Sequence, residues 1–392
     1  DHFETNQSKL IPHFKRWNSM SPAWNDSNYG NDQLYPVYSA IQSARLNSPA
    51  LISSNRWFLN GDGNNNQIFA TAKYETANAS PASSDVVIGF VNIDRNNTQS
   101  DNFKIPTNLA TLLGIQDGRT YNVKNIAAYT AQDSGRRDAW LWGSGITGAN
   151  LKANGFLVSL NKVPTTDPDW GTAPYEAQYL KLYDVTPPPA VAAPANSTGK
   201  SYVVGSNIRF SWSDSSSNTA DDNITGYRLV IKRSSTDEVV FDQNVGNVTT
   251  YQYSGSYGDA LYATVYPVSL AGIEGSASAA SSSVALLNPS NDEDKDGQSN
   301  SFEETAGTNL YDNSSHFRVS QNSVNGSNQF TLNWSSIIGK TYGVESKQQL
   351  SALLWQTEEN GIAGTGNQIT WFDPNPMNPE ILKNKFYRVT VE

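Results

Sequence analysis

The residues best placed to do chemistry lie between Asn291 and Glu303. Carboxylates recur at Asp292, Asp294 and Asp296, a glycine follows at Gly297, and a glutamate stands at Glu303. Together they fill every fixed place of the calcium-loop pattern D-x-[DN]-x-[DN]-G-x5-E. The spacing has a physical cause. Calcium takes about six to eight oxygens, so alternate side chains of a tight loop turn inward while a backbone carbonyl fills one place. The ligand set read from the sequence is Asp292, Asp294, Asp296, Gln298 through its main chain, Asn300 through a water, and Glu303. A solvated acidic linker would need neither the glycine nor the glutamate in register.

The flanking sequence decides what such a loop is for. A calcium sensor places it between two amphipathic helices. Here a Ser-rich, β-like stretch ends at Leu286, Leu287, Asn288 and Pro289, and only a short turn of helix potential follows, Ser301 to Ala306. The run from Asp292 through Gly297 to Glu303, Glu304, Gly307, Thr308 and Asn309 resembles the calcium loops of thrombospondin type 3 repeats and related bacterial spacers. Where those usually carry Asp-Pro, this chain has Asn309 and Leu310, with Asp312 nearby. The resemblance implies a joint between β modules that stiffens when calcium binds.

Composition narrows the partners. At 392 residues the chain is long enough for two to four domains. Charged residues make up only 16%, so the surface must be largely neutral and polar, as in extracellular β modules. The net charge of -10 argues against nucleic acid and anionic membranes, which call for basic patches. Cysteine is absent, which removes disulfides, thiol catalysis and cysteine-zinc sites; His2, His13 and His316 lack metal-pair spacing. No apolar run is long enough to span a bilayer, and the first residues do not read as a secretory signal, so a removed leader or a longer precursor is expected.

The expected fold class is mostly β, a multi-domain chain of antiparallel β-sandwiches with a short N-terminal helical segment. Residues 1–50 read as loop and helix. One helix runs from Gln33 to Ser48 with Pro36 in its first turn and Val37, Tyr38, Ile41 and Ala44 as its apolar face. Residues 51–186 switch to a period of two. Strands are expected at 56–59, 67–74, 85–93, 120–123, 155–160 and 177–183, within a sandwich of about eight.

The order of these segments resembles a known arrangement. A helix carrying Tyr38, Ile41, Arg45 and Ser48 leads to Leu51, then Asn55 to Leu59, Ile68 to Tyr74, Val87 to Asn92, Asn154 to Leu160, and Trp170 with Pro174 to Leu180. This resembles the last barrel helix and the C-terminal β domain of the α-amylase family of glycoside hydrolases. The resemblance implies a catalytic barrel of the same precursor lying before Asp1, an α-glucan or other polysaccharide as partner, and no catalytic residue in this chain. Arg136, Arg137 and Asp138 echo the family's Arg-x-Asp nucleophile motif but fall inside the β domain, where a loop is expected.

Pro187, Pro188, Pro189 and Pro194 mark a semi-rigid linker. Residues 187–287 resemble a fibronectin type III module, with strands at 208–212, 226–231, 239–241 and 261–268 and a Ser/Ala-rich final strand. The resemblance makes Trp212 the core tryptophan and Tyr262 a tyrosine corner. Residues 288–315 form the calcium-loop linker. Residues 316–392, including Gly339 to Ser346, Trp355 and Phe386 to Val389, resemble small C-terminal β domains of secreted bacterial proteins.

Trp140 and Trp142 alternate, so both rings can face one side. They are candidates for gripping sugar rings, although capping the sandwich core is the favoured reading. Trp17 and Trp24 are weaker candidates of the same kind. The function expected is the non-catalytic C-terminal part of a secreted bacterial α-amylase-like glycoside hydrolase, extracellular or on the cell surface, with a structural calcium joint. The alternatives are a structural or adhesive surface protein of β modules and a stand-alone carbohydrate-binding protein.

Overall fold

The computed structural model of the protein describes residues 34–61, 64–77, 80–82, 84–94, 96–127, 139–160, 177–196, 198–213, 224–325, 329–375 and 385–392. Trp17, Trp24 and the Arg136–Asp138 motif lie outside them. The chain is a mostly β protein of several antiparallel sheets with few helices. Among the described residues three separate hydrophobic cores form along it.

The first core begins with α1 (Leu34–Leu46) and α2 (Pro49–Ile52). Ser48 caps α2 through its hydroxyl, and Pro49 opens the helix where its missing N–H costs nothing. Of the expected apolar face of α1, Ala44 is buried and Ile41 is not, while the side chains of Val37 and Tyr38 lie outside the described residues. Ala40 and Ala44 are buried, whereas Ile41 is 39% exposed. Small side chains let the helix sit close to its support, and Ile41 falls on the outer side.

Next come β1 (Arg56–Phe58), β2 (Ile68–Tyr74), β3 (Val86–Asn92), β4 (Gln99–Phe103), α3 (Thr107–Leu112), β5 (Thr120–Asn125), β6 (Ile146–Thr147), α4 (Gly148–Ala153), β7 (Phe156–Leu160) and β8 (Ala177–Asp184). Six strands pair in the order β1-β2-β3-β8-β5-β6, and β4 pairs β7 in a second sheet. β3 is central, and its run of apolar residues is buried nearly throughout. Phe90 meets Phe103 at 5.0 Å and Phe156 at 5.9 Å, joining the two sheets. Each such side chain contributes about 1.5–3 kcal/mol by leaving water. The Tyr121 hydroxyl accepts the Gln116 N–H at 2.9 Å, and burial pushes its pKa up to about 12 against that donor.

The second core lies between β9 (Ala195–Asn196), β10 (Tyr202–Val204), β11 (Asn207–Ser211), β12 (Ile224–Arg233), β13 (Val239–Gly246), β14 (Thr250–Ser254), β15 (Ala260–Ser269) and β16 (Val284–Leu287). One sheet runs β10-β16-β15-β12-β13 and the other β14-β11-β9. β15 alternates buried and half-buried along its whole length, the period-two signature of a strand with one face inward. Trp212 is buried with its ring edge-on to Tyr227 at 5.7 Å, as a core tryptophan should be.

Two expectations fail in this module. The final strand spans only Val284–Leu287. The Ser/Ala run before it hugs β15 irregularly, with Ser278 and Ser281 hydroxyls accepting the Val265 and Ala263 N–H groups at 2.9 Å each. Serine side chains replace part of the ladder that a strand would have made. Tyr262 is not a corner residue either. Its hydroxyl donates to Asp237 Oδ1 at 2.6 Å, bracing a turn in which Asp237 has a φ of 57°.

After β16 comes α5 (Asn300–Ala306). The third core follows, between β17 (Val319–Val324), β18 (Phe330–Ser335), β19 (Thr341–Lys347), β20 (Gln356–Ala363), β21 (Gln368–Phe372) and β22 (Phe386–Val391). The sheets are β17-β18-β21 and β20-β19-β22, and Trp334, Tyr342 and Val344 fill the space between them. No helix among the described residues is long and apolar enough to cross a membrane.

Candidate metal centre

The acidic stretch folds back on itself between β16 and α5. Asp292 shapes the turn by accepting the Lys295 N–H at 2.7 Å through Oδ1 and the Gly297 N–H at 2.8 Å through Oδ2. The turn needs left-handed backbone at Lys295 (φ 64°) and Gly297 (φ 95°), and glycine adopts it without a Cβ penalty. Asp294 Oδ1 accepts the Asp296 N–H at 3.1 Å, and Asp296 Oδ1 accepts the Gln298 N–H at 2.7 Å. Both oxygens of Asp292 and one oxygen each of Asp294 and Asp296 therefore fix the loop. Ligand atoms of Asp292, Asp294 and Asp296 come within 4.8 Å of one another.

The remaining oxygens are the informative ones. Asp294 Oδ2, Asp296 Oδ2, Asn300 Oδ1 and Glu303 Oε2 are all buried without a hydrogen-bond partner. Asn300 and Glu303 are fully buried. A buried oxygen without a donor costs about 1–3 kcal/mol, more when charged. Glu304 Oε2 is a fifth on this segment, on the residue paired with Lys200, and the four named oxygens call for a common explanation. An oxygen-only donor set carrying several carboxylates suits a hard cation such as calcium and does not suit zinc or copper.

The electrostatics agree. Burial, followed by the nearby charges of Asp294, Asp296 and Asp292, raises the Glu303 pKa against a hydrogen bond from Thr308. Burial also raises that of Asp294, with the charges of Asp296 and Asp292 adding to it. Asp292 goes the other way. Burial alone would raise it, but the Gly297 and Lys295 N–H groups hold it below the usual range.

Two expected ligands have additional structural work. Gln298 bonds reciprocally with Phe317, donating from Nε2 to the carbonyl and accepting the N–H at 3.0 Å. Asn300 donates to the Asn288 carbonyl at 2.9 Å. Sequence reasoning missed Thr308, whose hydroxyl donates to Glu303 Oε1 at 3.2 Å, and His316, whose Nδ1 lies 4.0 Å from Asp296 Oδ2. Neither stands at a fixed place of the loop pattern.

The loop is anchored on both sides. Toward the second module, Lys200 meets Glu304 Oε1 at 2.6 Å and Tyr202 packs edge-on to Tyr311 at 5.8 Å. Toward the third, Lys340 Nζ donates to the Glu304 carbonyl at 3.4 Å, and Phe317 stacks on Tyr342 at 5.8 Å. Ser299 caps α5, and Gly307 ends it in left-handed backbone at φ 83°.

The tryptophans considered for sugar contact lie in the first module. Trp142 packs on Phe156 at 4.7 Å against the core. Trp140 sits edge-on to Tyr183 at 5.4 Å, with Lys124 Nζ 4.4 Å from its ring centre. Both are half-buried by these contacts.

No family model matches the chain, and no curated protein matches it. Solved structures similar to parts of it are fibronectin type III modules and a titin module. Titin module A71 from human cardiac muscle is 15% identical over 25% of this chain and 91% of its own, with a TM-score of 0.21. The sixth fibronectin type III domain of human fibronectin type III domain containing protein 3 is 19% identical over 27% and 92%, with a TM-score of 0.21. The FN1-FN3 domains of chicken CNTN1 are 12% identical over 77% and 91%, with a TM-score of 0.25. At these identities and scores the likeness carries no argument for function. The two-sheet form of the second module rests on its own strand pairing.

Proposed function

We propose that the chain is a non-catalytic, extracellular array of β modules in which calcium, held by the Asp292–Glu303 loop, locks the second module to the third. Asp294, Asp296, Asn300 and Glu303 supply side-chain oxygens, Asp292 shapes the turn and adds charge, and Gln298 offers its carbonyl. The ion offsets the repulsion of carboxylates gathered in one turn. With it bound, α5 keeps its grip on Lys200 on one side and Lys340 on the other. The observation that carries this reading is the set of four buried oxygens without donors.

The resemblance of residues 1–185 to the end of an α-amylase-family barrel and its C-terminal β domain supplies the setting. These modules would be the accessory part of a secreted bacterial glycoside hydrolase acting on α-glucan, with the bond-breaking residues on a barrel preceding them. Small-angle scattering with calcium and with chelator tests the joint. Chelation should broaden the distance distribution while circular dichroism stays β-like. An unchanged profile would count against a structural ion.

A further inference from the structure

The first module carries a recess far in sequence from the joint. It has a volume of about 480 Å³ and lies at the β1–β2 connection on the sheet's edge, lined by Phe58, Asn64, Asn66, Ile68, Phe69 and Ile93 among others. Phe58 is 54% exposed, Phe69 43% and Ile93 52%, while Ile68 beneath them is fully buried. The two rings stand 5.9 Å apart at 65°, so they form a corner with one ring face turned toward the other ring's edge. Arg56 braces Phe58, its guanidinium carbon 5.9 Å from the ring centre.

The polar rim is made of amides. Asn60 commits both ends of its side chain to β2, donating to the Ile68 carbonyl at 2.6 Å and accepting the Ala70 N–H at 2.8 Å. It therefore holds the loop against the sheet. Asn64 donates to the Leu59 carbonyl at 2.9 Å, which leaves its Oδ1 as an acceptor. Asn66 accepts from Gln67 at 3.4 Å, which leaves its Nδ2 as a donor. Among the described residues, no acidic or basic side chain lines the recess.

These features select a ligand. Among the described residues, the lining offers an anion no cation and a cation no carboxylate. A purely apolar ligand would leave the amides without partners, at a cost in free energy. A neutral sugar ring has an apolar C–H face to lay on an aromatic ring and hydroxyls that both donate and accept. The volume falls in the range of small-molecule pockets and suits a short stretch of such rings.

We propose that this recess binds a neutral saccharide, stacked on Phe58 and Phe69 and hydrogen-bonded by Asn64 and Asn66. The site does not depend on the cation loop, so the two readings fail separately.

Affinity electrophoresis of the full chain tests the proposal, in native gels containing soluble starch, a neutral β-glucan, or no polysaccharide. Wild-type protein should be retarded by at least one polysaccharide, equally with calcium and with chelator. Phe58→Ala and Phe69→Ala should each reduce the retardation at least tenfold, with melting temperatures near wild type because both rings are exposed. Asn66→Ala, on the exposed rim, provides a second variant that leaves the sheet intact and should also weaken retardation. Absence of retardation in every polysaccharide gel would overturn the proposal, as would retardation unchanged in both phenylalanine variants. Concentration-dependent dimerisation abolished by Phe69→Ala would also overturn it, by assigning the recess to a second copy.

Discussion

Lys200 and Glu304, 104 residues apart, form an ion pair of 2.6 Å between the second module and the helix of the joint. Glu304 follows Glu303, which is fully buried beside the acidic loop. Adjacent glutamates thus face different tasks, one toward the candidate ion and one toward a neighbouring module. Under the proposed calcium reading, that division makes α5 the element through which cation binding would reach module orientation.

The Lys200–Glu304 pair is partly exposed on both sides, and such pairs contribute about 0–1 kcal/mol. Lys200→Ala should therefore leave the thermal melt almost unchanged while widening the scattering distance distribution with calcium present. A stability loss well above about 1 kcal/mol would mean that Lys200 has a packing role beyond this contact.

Glu303→Gln keeps the shape of the side chain and removes its charge. Because burial and the neighbouring aspartates disfavour the ionised form, the metal-free variant should be at least as stable as wild type at neutral pH. Calcium affinity should fall at least tenfold. Calorimetric melting with chelator and calcium titration of the variant check the two halves separately.

Gly307 has a φ of 83°, and a Cβ there would lie 3.2 Å from Ile337 Cδ1 and Lys340 Cε. Gly258 has a φ of 88° with nothing within 4 Å of the same atom. Both alanine variants should lose about 1–2 kcal/mol from backbone strain. Gly307→Ala should lose more, because it also pushes the joint off the third module. Equal losses in thermal unfolding would contradict that contact.

Asp373 is almost fully buried, with Lys385 Nζ at 2.7 Å and the Tyr387 hydroxyl donating to the same oxygen. Burial alone would raise its pKa, but hydrogen bonds from Lys385 and Tyr387 outweigh it and hold the carboxyl below its ordinary 3.8. A depressed folded pKa gives stability that is present above the unfolded value and lost as pH falls through the folded one. The third module should therefore hold its melting temperature down to about pH 4 and lose it below. Asp373→Asn should be less stable at neutral pH and lack that acid-side decline. Melting curves between pH 2.5 and pH 7, conditions chosen about that value, read both effects.

Much of the fold was legible because its strands are written in period two. Ile68–Tyr74, Val86–Asn92, Phe156–Leu160 and Ala260–Ser269 alternate or run apolar in the sequence and stand within a residue or two of their expected limits. β4 was missed because Gln99 to Asn102 are polar and only Phe103 is buried. α3 and α4 have six residues each, too few to show a helical period. On α1 the expected Ala44 is buried, but Ile41 misleads because it outranks alanine in hydropathy, whereas close packing selects Ala40 beside Ala44. The acidic loop stands out in the sequence because its carboxylates lie within a dozen residues in fixed register. The contacts of Lys200, Phe317 and Lys340 with it were not, since they join distant segments and leave no local pattern.

The central claim is that the Asp292–Glu303 loop holds calcium. Isothermal titration of calcium into chelator-treated protein tests it most directly. The expected result is one saturable site per chain, absent or at least tenfold weaker in Glu303→Gln, with the melting temperature rising as the site fills. No heat of binding at millimolar calcium, or binding identical in wild type and Glu303→Gln, would contradict it.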